Sequence, residues 1–306
     1  MMNNIKSKLA GLLNRFPYIK TLYKFRSDYY KNSCYEPGHY YSPIVNMDDI
    51  KRNEIQIWKN KSVEVIPGIN LDSEEQLLLL NEFGKYYQGI PFSAIKQKNR
   101  RYYFENDLFS YTDGIMLYSF IRHFKPRRLI EAGSGFTSAL FLDVNSIYFE
   151  KSIKLSFIEP YPERLYSLIS EEDKKNTEII VDGIQSVDES YFEQLKENDI
   201  LFIDGSHISK TGSDVNFVLF EILPKLHSGV LIHFHDIFYP FEYPKEWVYG
   251  GFNWNEIYLI HAFLMNNAEY KIKLFAHYLH THHPEAFREM PLCYKNSGGS
   301  LWLQKK

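Results

Sequence analysis

The chain has 306 residues, 44% hydrophobic and 24% charged, enough for one large α/β domain with an accessory segment. A formal net charge of −3 gives no basis for bulk nucleic-acid binding. The two cysteines, Cys34 and Cys293, lie far apart without CxxC spacing, which argues against a disulfide framework or thiolate zinc site and fits a reducing, cytoplasmic compartment.

Residues 1–27 hold Lys6, Lys8, Arg15, Lys20, Lys24 and Arg26 and no acid. Ile5, Leu9, Leu12, Leu13 and Phe16 fall at helical spacing before Pro17 interrupts the run. A basic amphipathic helix lies on an anionic membrane surface or packs on protein, its own chain or a second subunit. Peripheral contact with the inner face of a membrane and homo-oligomerisation are therefore both expectations for this segment. Residues 28–105 are Tyr-rich and irregular, with one helix opened by Asp72 or Ser73 and continued through EEQLLLLNEFGKYY. The expected division is an accessory segment, 1–105, and a regular domain, 106–306.

From residue 106 the elements alternate. YTDGIMLYSFIRHF reads as a helix, RRLIEA as a strand, and FTSALFLDVNSIYF as a helix after the turn GSG. LSFIEP, TEIIVDG, DILFIDG and GVLIHFHD are further strands. PERLYSLIS, DESYFEQLK and SDVNFVLFEILPKL read as the helices between them. NEIYLIHAFLM is a helix, and KIKLFAH and SLWLQK are two late strands. Short apolar strands alternating with helices predict a Rossmann-like α/β fold, a mostly parallel sheet covered on both faces. The late strands predict an antiparallel pair at one edge.

Ligands of such sheets bind at the carboxyl ends of the strands. Here those ends carry Glu131 with Gly133-Ser134-Gly135, then Glu159, Asp182-Gly183, Asp204, and His235-Asp236. The two glycines permit a tight turn into a helix N-terminus, and Glu159 at the next strand end can accept from both ribose hydroxyls. A nicotinamide dinucleotide is one reading. Its fingerprint requires Gly or Ala where this chain has Ser138, and Glu131 would face a pyrophosphate unfavourably. A cationic sulfonium suits that carboxylate better.

LIEAGSGFTSAL, FIEPYPERL and IIVDGIQSV resemble the first three motifs of the class I S-adenosylmethionine (SAM)-dependent methyltransferases. ILFIDGSH and GVLIHFHDIF resemble a subgroup with DG(S/D)H after strand four and HD or DD after strand five. That subgroup includes enzymes that methylate sugar hydroxyls of bacterial surface glycans. The resemblance spans residues 106–306 and implies a seven-stranded sheet with an antiparallel last strand. It also implies a SAM site: Glu131, Gly133, Ser134 and Gly135 on the methionine part, Glu159 on the ribose, Asp182 and Gly183 at the adenine. The implied activity is O-methylation of a sugar hydroxyl in surface-polysaccharide biosynthesis.

A sugar hydroxyl needs deprotonation before it attacks a methyl group. An imidazole near neutral pKa or a divalent ion can serve. Asp204, His207, His235 and Asp236 are the residues expected to meet for this purpose. Either His207 or His235 is the base, oriented by Asp204 or Asp236, or Asp204, His235 and Asp236 hold Mg²⁺ or Mn²⁺. His233 is read as a structural histidine. The ring-rich loop IFYPFEYPKEW is read either as a sugar-stacking lid or as an anchored loop. Two other functions stay open on the sequence: a nicotinamide-dependent oxidoreductase, and a non-catalytic protein that keeps the methyltransferase fold.

Overall fold

The apolar runs after residue 127 become strands: β1 (Arg128–Ala132), β2 (Lys154–Ile158), β3 (Glu178–Ile180), β4 (Ile200–Ile203), β5 (Leu231–Phe234), β6 (Tyr270–Phe275) and β7 (Leu301–Lys305). They form one sheet in the order β3-β2-β1-β4-β5-β7-β6. The first five are mutually parallel, and β7 runs antiparallel to both β5 and β6. This is the expected fold: a seven-stranded, mostly parallel, Rossmann-like sheet. β6 and β7 do not form a tight hairpin, because the helix Ala276–His282 and two short turns intervene.

The computed structural model describes residues 16–59 and 63–306. The chain divides into two units, Met1–Lys59 and Asn60–Lys306. In the first, α1 (Pro17–Asn32) begins at the proline that was expected to end a helix. Pro suits a first turn, where its missing N–H has no intrahelical acceptor to lose. Residues 1–15, which carry much of the basic amphipathic pattern, lie outside the described residues. Among those described, no helix is long and apolar enough to cross a membrane.

The division between the two units falls at 59/60, so the expected accessory segment, 1–105, reaches into the second unit. The second unit holds α2 (Ser73–Tyr87), α3 (Tyr111–Phe124), α4 (Phe136–Tyr148), α5 (Glu163–Leu168) and α6 (Glu256–Leu264). Leu80 and Phe83 of α2 are buried, and the Phe83 ring meets Phe120 of α3 edge-on at 5.0 Å. Phe92, Tyr102 and Phe104 join the same core. Arg101 ties this stretch to two helices, pairing with Asp143 at 2.7 Å and Asp173 at 2.6 Å. Apolar burial and these ion pairs make residues 63–105 part of the sheet domain. DESYFEQLK is a 3₁₀ turn over Glu189–Gln194 rather than a full helix, with Phe192 its buried anchor.

Chain order places the site. β1 to β3 run outward on one side, and β4 returns to pair with β1 on the other, so the order reverses beside β1. Ala132 is level with Ile203, and Ile203 with Phe234. The residues just beyond these, Gly133, Asp204 and His235, therefore stand side by side on one rim.

Candidate active site

The turn after β1 exists because of Gly133. Its φ is +87°, and a Cβ there would overlap the backbone carbonyl of Asp204. Backbone bonds fasten the turn to both neighbouring strands: Gly133 N–H to Ile158 O at 3.0 Å, and Asp204 N–H to Ala132 O at 2.8 Å. Glu131 underlies it. The residue is 0% exposed, and its carboxylate accepts from the Thr137 and Ser138 hydroxyls of α4. Burial pushes its pKa up to about 8. Glu131 was expected to line the cofactor's methionine part. It is instead sealed beneath the turn as a support, because the inward face of β1 carries it into the core.

Two adjoining cavities open at this rim. One, of about 310 Å³, is lined by Gly133, Ser134, Gly135, Glu159, Arg164, Asp204, His207, His235, Asp236 and the rings of Phe109, Phe136 and Trp254. The other, of about 600 Å³, shares Gly133, Glu159 and Asp204 and runs on to Tyr161, Asp182, Gly183 and Ile184. Glu159 sits between them, its carboxylate accepting from the N–H groups of Ser134 at 2.9 Å and Tyr161 at 2.8 Å. Two of a carboxylate's four acceptor directions are thereby used, which leaves acceptor capacity toward the cavities. The lining offers a glycine turn, a helix N-terminus and an acid at the next strand end, a set that fits a nucleoside carrying an amino-acid tail.

Around the smaller cavity, His207 is the most constrained side chain. Its carbonyl accepts from the N–H groups of Asn255 at 3.0 Å and Glu256 at 3.1 Å. Its Nδ1 lies 2.8 Å from the buried Glu256 carboxylate, and its ring rests on Trp254 with 4.5 Å between centroids. Its Nε2 is thus turned to Asp204 at 3.4 Å and Asp236 at 3.6 Å. Both His207 and Asp236 have φ of +58°, a region bulky residues avoid and functional sites tolerate. Burial opposes charge on His207, but Asp204 and Glu256 outweigh it and hold the pKa well above the usual imidazole value. Nε2 of His207 therefore faces two carboxylates, an arrangement that suits either a proton on that nitrogen or a metal ion.

Asp204, His207 and Asp236 each offer a ligand atom, all within 4.8 Å of one another. This differs from the expected Asp204, His235 and Asp236, because His207 takes the place of His235. The His235 ring lies against Phe109, 5.1 Å between centroids, with Nε2 3.4 Å from Asp236 and a buried Nδ1 that has no hydrogen-bond partner. Burial works against its charged form, yet Asp236 and Asp204 raise its pKa. For Asp236 burial prevails over both imidazoles and raises the pKa. For Asp204 burial is outweighed by His235 and His207, and the pKa falls. His233 is fully buried, its Nε2 3.2 Å from Ser300 Oγ, and burial lowers its pKa well below the ordinary value. It is structural, as expected.

The loop after β5 is an anchored loop rather than a lid. Phe238, Tyr239, Phe241 and Tyr243 are buried, and Phe241 stacks on His261. Trp254, further along, supplies the cavity wall. Trp254, Glu256, Phe109 and Arg164 were not anticipated. Each lies far in sequence from the residue it serves, and only Glu256 left a trace, as a carboxylate in the first turn of an otherwise apolar helix.

Residues 130–237 match the family model described as a methyltransferase domain. An uncharacterized protein of Archaeoglobus fulgidus is 36% identical over 185 residues, covering 59% of this chain and 83% of that protein. Residues 130–237 are thus a methyltransferase domain by the family match. The matched span runs from the middle of β1 to just past Asp236. The match favours the methyltransferase reading over the nicotinamide one. Among solved structures, the chain is similar to the SAH-bound methyltransferase PaMTH1 of Podospora anserina, with 14% identity, coverage of 86% of this chain and 98% of that one, and a TM-score of 0.41. It is likewise similar to the O-methyltransferase TomG of Streptomyces achromogenes in complex with SAM, with 12% identity, coverage of 85% and 100%, and a TM-score of 0.42.

Proposed function

We propose that this methyltransferase transfers the methyl group of SAM to a hydroxyl oxygen, with a sugar of bacterial surface-glycan biosynthesis as acceptor. The observation that carries this reading is the convergence of Asp204, His207, His235 and Asp236 on the cavity beside the glycine turn. A nucleophile that must lose a proton needs such a cluster, whereas a neutral amine or thiolate does not. The rings of Trp254 and Phe136 line this cavity and are surfaces of the kind that hold a sugar ring.

SAM, when bound, supplies a methyl group on a sulfonium already activated for in-line displacement, and leaves as the neutral thioether SAH. The chain's residues provide alignment and proton handling. Gly133 to Gly135 admit the methionine part, Glu159 accepts from the ribose hydroxyls, and Asp182 and Gly183 flank the base. Asp204, His207 and Asp236 would hold a divalent ion, Mg²⁺ or Mn²⁺, which would lower the acceptor hydroxyl's pKa. Glu256 fixes the His207 ring so that Nε2 stays directed at the cavity. The hydroxyl proton passes to this cluster, with Asp236 or His235 as its acceptor. The free thiols of Cys34 and Cys293 suit the cytoplasm, where activated sugars are assembled.

The test is incubation with methyl-labelled SAM and a panel of sugar acceptors, with and without chelator, followed by mass spectrometry. Label on a sugar oxygen supports the reading. Transfer only to nitrogen or carbon acceptors overturns it. Binding of SAH with no turnover on any acceptor favours the non-catalytic alternative.

A further inference from the structure

α1 (Pro17–Asn32) carries an amphipathic pattern of its own, beyond the proline where the basic run was expected to stop. At 3.6 residues per turn, Tyr18, Leu22 and Phe25 form one stripe, and Lys20, Lys24 and Lys31 gather toward the far side. Tyr18, Leu22 and Phe25 are 74%, 50% and 71% exposed, and no residue of α1 is buried. Tyr29 and Tyr30 are engaged locally, their hydroxyls donating to the Tyr35 carbonyl and the Glu36 carboxylate. That leaves the stripe as the part of α1 open to a partner.

Such a helix gains little in water. It has no side-chain cap and no acid in its first turn, and a 16-residue helix with no buried face is marginal alone. Covering the stripe is what would stabilise it. Charge identifies what covers it. Residues 1–32 hold seven basic residues and one acid, Asp28, a formal +6 that leaves −9 on the rest of a chain totalling −3. Among the described residues no carboxylate pairs with Lys20, Lys24, Arg26 or Lys31, and Arg26 lies over the Tyr30 ring, 5.7 Å from its centroid. A second α1 laid against the first would bring like charges together. An anionic bilayer suits both features. Its phosphates attract the cations, and its headgroup layer takes the rings and the leucine while the long lysine stems reach out to the phosphates. The helix is not long and apolar enough to cross a membrane, so it would lie in the plane of the surface.

We propose that α1 is an in-plane anchor for an anionic bilayer surface, with the stripe of Tyr18, Leu22 and Phe25 in the headgroup layer and Lys20, Lys24 and Lys31 on the lipid phosphates. The proposal goes beyond the methyl-transfer reading and does not depend on it.

The test floats the full chain with vesicles of phosphatidylcholine alone and with vesicles that also contain phosphatidylglycerol, and measures its oligomeric state by sedimentation without lipid. The wild type is expected to float only with the anionic vesicles, and less as salt is raised. Lys20→Gln, Lys24→Gln and Lys31→Gln each weaken binding by about fivefold, and the double variant Leu22→Ser, Phe25→Ser by at least about tenfold. These positions are exposed, so an unchanged Tm is expected to accompany the loss of flotation. Flotation with neither vesicle, equal flotation with both, or variants that float like the wild type would overturn the anchor. A wild-type dimer that Leu22→Ser, Phe25→Ser dissociates gives the stripe to a second copy and overturns it too.

Discussion

His207 concentrates the chemistry of the site in one side chain. Its backbone is pinned by Asn255 and Glu256, its Nδ1 by Glu256, and its Nε2 faces two carboxylates. His207→Ala should lower turnover by at least roughly a hundredfold while SAH affinity, measured by calorimetry, stays near that of the wild type. Near-normal turnover would remove His207 from the reaction. Glu131 makes a different prediction. Its folded pKa of about 8 stands above the free carboxyl value of 4.5. Between those values the folded state holds a proton that the unfolded state has lost, so stability falls as pH rises. The slope is about 1.4 kcal/mol per pH unit within that window, and is zero from this group below and above it. Glu131→Gln mimics the protonated carboxyl, with its carbonyl accepting from one of the two hydroxyls and its NH₂ donating to the other, and should remove that decline. Urea titrations of both proteins from acid to mildly alkaline pH check it, and parallel curves would refute the assignment.

At the scale of elements, the turn joining β1 to α4 decides whether a cofactor can approach. Gly133→Ala forces a side chain into a left-handed conformation and into the Asp204 carbonyl, which also displaces Asp204 from the rim. The expected cost is at least about 2 kcal/mol, with loss of SAH binding. Denaturant unfolding and calorimetry read the two effects separately. The glycine turn, the alternating strands and the acids at strand ends were all legible in the sequence, because each is a local pattern of backbone freedom or side-chain period. DESYFEQLK misled for the same reason: its helical spacing is real, and Phe192 and Leu195 are buried, but the run closes as a 3₁₀ turn over Glu189–Gln194. The ring-rich loop after β5 misled in the other direction. Composition shows that rings are present, and only packing shows that they face inward.

At the scale of the molecule, residues 63–105 are held to the sheet domain by more than apolar contact. Arg101 bridges Asp143 and Asp173, which are only 2% and 7% exposed at their side chains. Removing the cation strands two buried carboxylates, so Arg101→Met should cost about 3 kcal/mol or more. The same denaturant series on this variant checks it, and a change under 1 kcal/mol, roughly a surface pair's worth, would show the bridge to be incidental. Binding linkage gives a further whole-chain measure. SAH at about a hundred times its Kd should stabilise the folded chain by about 2.7 kcal/mol, seen as a raised Tm, while NAD should not.

The order of elements, the glycine turn and the acids at the strand ends were determined by the amino-acid sequence alone, since each arises between residues near one another along the chain. The choice of His207 over His235 for the carboxylate cluster was decided only by tertiary structure, as were the clamp of Trp254 and Glu256, the burial of Glu131 and the presence of Arg164 in the cavity. Each of these depends on where a distant loop returns in space and which face of a strand meets it, and no local period or propensity encodes that path.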